Sequence, residues 1–135
     1  TSSIGGMASA SIPATSRNTN SSILFLTGHN TNGEMPDDIN WQAVAKIPVV
    51  VMYMAIKHLP IIAQRLIKEG RSSQDCVAVI QDATLPSERI LESSLININS
   101  DIEKNQIKAP AIVVLGPVVG LRSKLIQNVI KDAIN

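Results

Sequence analysis

Aromatic side chains are nearly missing from this sequence. Phe25, Trp41 and Tyr53 are the whole set, 2% of 135 residues. A core with so few rings must be built from Ile, Val, Leu and Ala, and nucleic-acid bases find almost nothing to stack on. An excess of one charge is missing as well. Twelve Lys and Arg against eleven Asp and Glu leave a formal net charge of +1, with the signs interspersed and no basic stripe. A nucleic-acid partner therefore gets no support. Cys76 is the single cysteine, which excludes a disulfide framework and makes a reducing, cytoplasmic setting the default expectation. Lying in an apolar run, it reads as a small buried hydrophobe. No apolar run reaches the length of a membrane-spanning helix. No charged segment followed by an apolar stretch marks a signal peptide. A soluble protein with no membrane partner is expected. The sequence opens on Thr1-Ser2-Ser3 without an initiating Met, and it reads as the middle of something longer.

What is present is hydrophobic material for one domain, 44% of the residues. It is concentrated in short runs at Ile23 to Leu26, Ile47 to Met54, Cys76 to Ile80 and Ala111 to Leu115. Each run is rich in β-branched residues and continuous rather than alternating. That pattern belongs to strands covered on both faces, which have no solvent side to mark with polar residues. Between them, Leu59, Ile62, Ala63, Leu66 and Ile67 recur at helical spacing, with Pro60 near the start and Gly70 just past the end. Leu125, Ile126, Val129, Ile130 and Ala133 form a last amphipathic stripe. Thr1 to Ser11 is small and apolar enough for a tightly packed helix ending before Pro13. Arg89 to Ile98 reads as a strand feeding a short helix over Asp101 to Gln106, for which Ser100 and Glu103 have capping-box spacing. Asn30 to Asn40 is the one long polar loop. The alternation of strands and helices predicts an α/β fold, a three-layer sandwich around a mostly parallel mixed sheet.

The polar residues by themselves define little chemistry. His29 and His58 have no companions at metal-ligand spacing, so no metal site is expected. His29 follows a strand end and can sit in a crevice, whereas His58 reads as the start of a helix. Gly5-Gly6 lacks the spacing of a dinucleotide fingerprint, and close helix packing accounts for it better. Asp82 follows a buried strand, at the carboxyl end where α/β sheets bind ligands. No Ser-His-Asp or Cys-His arrangement is present, and no side chain is assigned a catalytic role.

The ordered set of segments is more specific than any single residue. Thr1-Ser2-Ser3-Ile4-Gly5 and Ile12-Pro13-Ala14-Thr15-Ser16-Arg17 resemble a T-S-A helix followed by I-P-x-T-H-R. Leu26-Thr27-Gly28-His29 is similar to V-T-G-H, Asn40-Trp41 to D-W, and Val50-Val51-Met52-Tyr53-Met54 to V-V-Y-M-G. Gly70, Asp82-Ala83-Thr84 and Glu88-Arg89 resemble a G, an x-G-T turn and a Q-R pair. Ala109-Pro110-Ala111 and Val114-Leu115-Gly116-Pro117-Val118-Val119-Gly120-Leu121-Arg122 resemble S-P-A-x-x-V-G-x-V-V-x-L-R. Those motifs, in that order over essentially the whole chain, resemble the uroporphyrinogen-III C-methyltransferase branch of the tetrapyrrole methylases, specifically its C-terminal half.

The resemblance implies methyl transfer from S-adenosylmethionine to pyrrole carbons of uroporphyrinogen III, giving precorrin-2 on the way to sirohaem and cobalamin, with S-adenosylhomocysteine as by-product. It implies a cofactor folded between two α/β domains, of which residues 1–135 would be the second. The N-terminal domain, with its G-G-D loop and acidic-substrate trough, would lie outside this chain, which would be inactive alone. Homodimerisation is implied as well. Carried over by position, Thr1 and Ser2 match the linker pair beside the cofactor, and Met54 the methionine flanking the adenosine. Ala83 matches the small residue that lets adenine approach the backbone, with Pro110 and Ala111 lining the same slot. Plain core packing is the competing reading for Met54 and Ala83. Arg17 would face substrate carboxylates or be merely structural. Four positions depart from the family pattern: Ser16 replaces His, Asn40 replaces Asp, and Ala55 and Ala83 replace Gly. The two alanines would each add a methyl that tightens the slot. Two alternatives stay open: another branch of the superfamily (precorrin, diphthine or ribosomal-RNA methylases), or a non-catalytic dimerisation module that has kept the fold.

Overall fold

A computed structural model describes residues 2–135. The chain forms helix α1 (Ser2–Ser9), strand β1 (Ile23–Thr27), helix α2 (Trp41–Val44), strand β2 (Val49–Tyr53), helix α3 (Leu59–Lys68) and strand β3 (Cys76–Gln81). Strand β4 (Arg89–Ser94), helix α4 (Ile98–Lys104), strand β5 (Ala111–Leu115) and helix α5 (Arg122–Ile134) follow. One five-stranded sheet, ordered β1-β2-β5-β3-β4, runs through the middle.

The sheet is covered on both sides, as the unalternating runs require. Val50 and Met52 of β2, Val77 and Val79 of β3, and Val113 and Leu115 of β5 face one cluster, closed by Trp41, Leu59, Ile62, Ala63, Leu66 and Ile98 from α2, α3 and α4. Val49, Val51, Ala78, Ile80, Ile112 and Val114 face the opposite cluster, closed by Met7 and Ala10 near α1 and by Val118 and Val119 after β5. Val49, Val50 and Val51 are fully buried and Met52 is 1% exposed. Each such side chain contributes roughly 1.5–3 kcal/mol by leaving water. The α3 stripe read from the sequence is the buried face: Leu59, Ile62, Ala63 and Leu66. The α5 stripe is different. No residue of α5 is buried, and Leu125, Val129, Ile130 and Ile134 face solvent.

Several expectations need correction. The sheet is mixed but not mostly parallel: β1 and β2 are parallel, while β2–β5, β5–β3 and β3–β4 are antiparallel. Apolar continuity records covered faces, not strand direction; direction comes from connections. The short segment between β3 and β4 can only fold back on itself, and β5 then enters antiparallel between β2 and β3. Strand β1 is an edge strand, with Phe25 39% exposed. The capping box is absent: α4 begins at Ile98 behind Asn97, and the Ser100 hydroxyl donates back to the Asn97 carbonyl at 2.9 Å. Cys76 is exposed, because it opens β3 before the strand passes under the covering helices.

One buried charge ties this architecture together. Arg71, 7% exposed just beyond α3, donates to the Ile47 carbonyl at 2.5 Å and the Pro48 carbonyl at 2.8 Å, and pairs with Asp75 at 2.8 Å. Its planar fork fixes the end of α3 against the entry to β2, reaching two successive carbonyls just before the strand. Arg71→Ala should therefore lower stability by about 3 kcal/mol, because two acceptors lose their donor. Urea unfolding at unchanged slope would measure this, and Arg71→Lys should recover little, since a point charge cannot span all three acceptors.

Candidate functional site

Strands β2 and β3 point the same way, and β5 lies antiparallel between them. One edge of the sheet therefore carries the carboxyl ends of β2 and β3 and the amino end of β5. The register fixes this, pairing Tyr53 with Ile112 and Gln81 with Ala111. A cleft of about 730 Å³ opens at that edge, within the usual size range of small-molecule sites. Met54, Ala83, Pro110 and Ala111, four of the residues singled out in the sequence, all line it. His29, beyond the end of β1, lines it too. Thr1 lies outside the described residues. Ser2 opens α1, the helix whose Gly5 reaches the cleft wall.

The backbone around the cleft is unusual. Met54, Asp82 and Thr84 have φ of 48°, 49° and 70°, a left-handed region that side chains other than glycine enter at a cost of order 1–3 kcal/mol. Such residues persist only where their surroundings over-determine them. At Asp82 the amide donates to the Pro110 carbonyl at 3.1 Å across the cleft floor, and Pro110 follows a cis peptide bond. The Gln81 amide donates to the Asp82 carboxylate at 3.3 Å and accepts from the Lys108 backbone N–H at 2.8 Å. Met54, thrown outward after β2, is 53% exposed and lends an adaptable apolar side chain to the opening.

Small residues set the approach of the other elements. A Cβ at Gly6 would fall 2.7 Å from the Ile112 side chain and 3.1 Å from the Ala83 methyl, so α1 rests directly on the cleft wall. The close packing expected of Gly5-Gly6 thus holds at Gly6 alone; a Cβ at Gly5 would meet nothing within 4 Å. Ala55 corrects an expectation. It is fully buried in the core beside Gly28 and does not line the cleft, whereas Ala83 does. Only one of the two added methyls can narrow the slot. Asn40 caps α2, its side chain accepting from the Ala43 amide at 3.1 Å, a task Asn and Asp perform alike. Ser16 takes part in a local turn through its backbone, held by Asn20, and Arg17 is exposed on that turn. His58 stands at the start of α3, and its ring nitrogen Nε2 bonds the Gly33 carbonyl at 2.9 Å, tethering the long polar loop. Arg122 donates to the Ala10 carbonyl at 2.8 Å, capping the end of the α1 segment.

Tyr53, Lys57, Thr84 and Leu85 also line the cleft, although the sequence reading assigned none of them to a site. Lys57 sits on a 3₁₀ turn that leaves no periodic signature. Thr84 and Leu85 belong to a turn whose wall-forming role depends on the fold of α1 against it. Among the described residues, no three His, Cys, Asp or Glu side chains gather as a metal site would require. No helix among them is long and apolar enough to cross a membrane.

A cleft at the strand ends of a mixed sheet between helical layers makes this an α/β domain with a candidate small-molecule site. Residues 1–99 match the family described as Tetrapyrrole (Corrin/Porphyrin) Methylases, and the chain belongs to that family. It is 46% identical over 126 residues to a uroporphyrinogen-III C-methyltransferase of Sinorhizobium, covering 93% of this chain and 45% of that protein. It is 40% identical over 126 residues to a siroheme synthase of Azotobacter vinelandii, covering 93% of this chain and 27% of that protein. The chain thus spans less than half the length of these relatives. Among solved structures, a Thermus thermophilus uroporphyrin-III C-methyl transferase complexed with S-adenyl homocysteine shares the fold with a TM-score of 0.74 and 24% identity, over 85% of this chain and 50% of that one. A cobalt precorrin-4 methyltransferase of cobalamin biosynthesis shares it at a TM-score of 0.75 and 19% identity, over 86% and 48%.

Gly28 makes the cleft edge possible. A Cβ there would lie 2.4 Å from the Ala55 Cα and 2.9 Å from the Met54 carbonyl, backbone atoms that cannot step aside. Gly28→Ala should cost about 1–3 kcal/mol in thermal or urea unfolding. Adding Ala55→Gly should recover only a fraction, because the backbone clash remains.

Proposed function

We propose that residues 1–135 form the S-adenosylmethionine-binding, C-terminal half of a uroporphyrinogen-III C-methyltransferase. The observation that carries the reading is the convergence of Met54, Ala83 and Pro110-Ala111, from three different strand ends, on one cleft. The 46% identical relative bears that name, and the Thermus neighbour was solved with S-adenyl homocysteine.

The cleft suits an adenosine. Its lining is mostly apolar, as an adenine face requires, with few polar groups placed to fix orientation. Met54 covers one side of the base. Ala83, with only a methyl, lets it approach the backbone of the 82–85 turn, and Pro110 and Ala111 close the other wall. Thr1 and Ser2, by position, flank the remainder of the cofactor. The bound cofactor supplies an activated methyl on sulfur, so a hydrolase-like constellation is unnecessary. The chain's contribution is to hold the donor in line and exclude water. The methyl would pass to pyrrole carbons of uroporphyrinogen III, giving precorrin-2 and leaving S-adenosylhomocysteine, in a cytoplasmic setting. An N-terminal domain completing the trough for the acidic tetrapyrrole goes with this reading. So does a homodimer, to which the exposed apolar stripe of α5 gives support. The second reading, another tetrapyrrole methylase branch, draws support from the precorrin-4 methyltransferase neighbour.

Calorimetry with S-adenosylhomocysteine tests the proposal. This chain should bind it weakly and the full-length enzyme tightly, and only the latter should methylate uroporphyrinogen III. Ala83→Leu should abolish binding by filling the slot, and because the Ala83 side chain also packs against α1 and the core beside it, the unfolding midpoint should fall as well. Turnover by these 135 residues equal to that of the full-length enzyme would overturn the two-wall arrangement.

A further inference from the structure

We propose that Glu88, which does not line the cleft, is the positioning residue of its adenosine wall. The turn from Asp82 to Leu85 is that wall, and two of its residues, Asp82 and Thr84, sit at φ 49° and 70°. Thr84 is β-branched, and a positive φ at such a residue is an outlier that something nearby must hold. One carboxylate oxygen does so. Glu88 Oε2 accepts from the Thr84 backbone N–H at 2.7 Å and from the Ser9 hydroxyl at 2.6 Å. The turn also bonds itself, Leu85 N–H to Asp82 O at 3.0 Å and Glu88 N–H to Leu85 O at 2.9 Å, so Glu88 lies at the end of a short hydrogen-bonded coil that returns its side chain to Thr84.

The second hydrogen bond gives the clamp its reach. Ser9 ends α1, and α1 rests on the same turn through Gly6, whose missing Cβ would touch Ala83. Glu88 therefore fixes two cleft walls at once: the strained turn, and the helix whose Gly5 forms the neighbouring lining. A charged acceptor shared between two donors makes stronger hydrogen bonds than a neutral one. Both bonds are exposed, so their loss leaves the core untouched and should loosen the wall without unfolding the domain. A glutamine offers a carbonyl oxygen at the same reach, so Glu88→Gln keeps the acceptor while removing the charge.

The inference rests on the adenosine reading only for its ligand; the clamp itself can be read in the ligand-free chain. Amide hydrogen exchange should show Thr84 and Leu85 exchanging at least tenfold faster in Glu88→Ala than in wild type. Glu88→Gln should stay within about twofold of wild type and Ser9→Ala should fall between. Titration with S-adenosylhomocysteine should show about tenfold weaker binding in Glu88→Ala, the worth of one hydrogen bond to a charged group, at a nearly unchanged unfolding midpoint, with Glu88→Gln restoring most of the affinity. Wild-type exchange at Thr84 in Glu88→Ala would overturn the clamp, as would a Gln variant no better than Ala. A full-length enzyme that fails to bind S-adenosylhomocysteine would defeat the adenosine reading instead, and the exchange measurement would still decide whether Glu88 holds the turn.

Discussion

Everything in this domain depends on β5 entering the sheet backwards between β2 and β3. Its antiparallel pairing on both sides places Ala111 beside Gln81 and Ile112 beside Tyr53. A strand buried on both faces cannot slip by one residue without turning Val113 and Leu115 into the opposite cluster, so the register is strongly specified. Because the register is fixed, the loop before β5 must meet the loops after β2 and β3. The cleft is therefore a by-product of core packing: side chains that never touch a ligand decide where the lining residues stand.

The cleft wall shows a different balance of forces. The residues forming it are held in backbone conformations that their own sequence disfavours, with Met54, Asp82 and Thr84 all at positive φ. Interactions across the edge offset that local cost, from the Asp82 amide to Pro110 and from Glu88 to Thr84 and Ser9. The core is locally consistent and the edge is locally frustrated. That division is expected where a fold leaves room for a site.

How much of this was legible follows from what each signal encodes. The four apolar runs and the α3 face lie where the pattern put them, but the strand read over Arg89 to Ile98 ends at Ser94 and Ile98 already belongs to α4. Strand direction was not written in the pattern, since Ile112–Leu115 would look the same in either sense; it emerges from connections and from which gap in the sheet is free. Cys76 and Phe25 were misread because a continuous run does not say where its ends emerge from cover or whether the strand lies at an edge. Met54, Ala83, Pro110 and Ala111 were found through motif order rather than through their chemistry, which is bland. Lys57, Thr84 and Leu85 were given no place in the site because their position in the wall depends on a 3₁₀ turn and on α1 lying against them. Arg71 carries no sequence mark at all; its importance is purely that two carbonyls converge on it.

The tether between His58 and Gly33 bears on how the long polar loop behaves as a polymer. A segment free over Asn30 to Asn40 would sample its full closure entropy between the end of β1 and the cap of α2. Pinned near its middle by the imidazole, and folded at its start where the Asn30 side chain accepts from the Asn32 and Glu34 amides at 2.9 and 3.1 Å, it behaves as two much shorter tethers. Closure entropy grows only with the logarithm of length, so the thermodynamic gain is modest. The spatial consequence is larger: each half can reach only a short distance from its anchors, and His29 at the cleft is left with little contour length over which to wander.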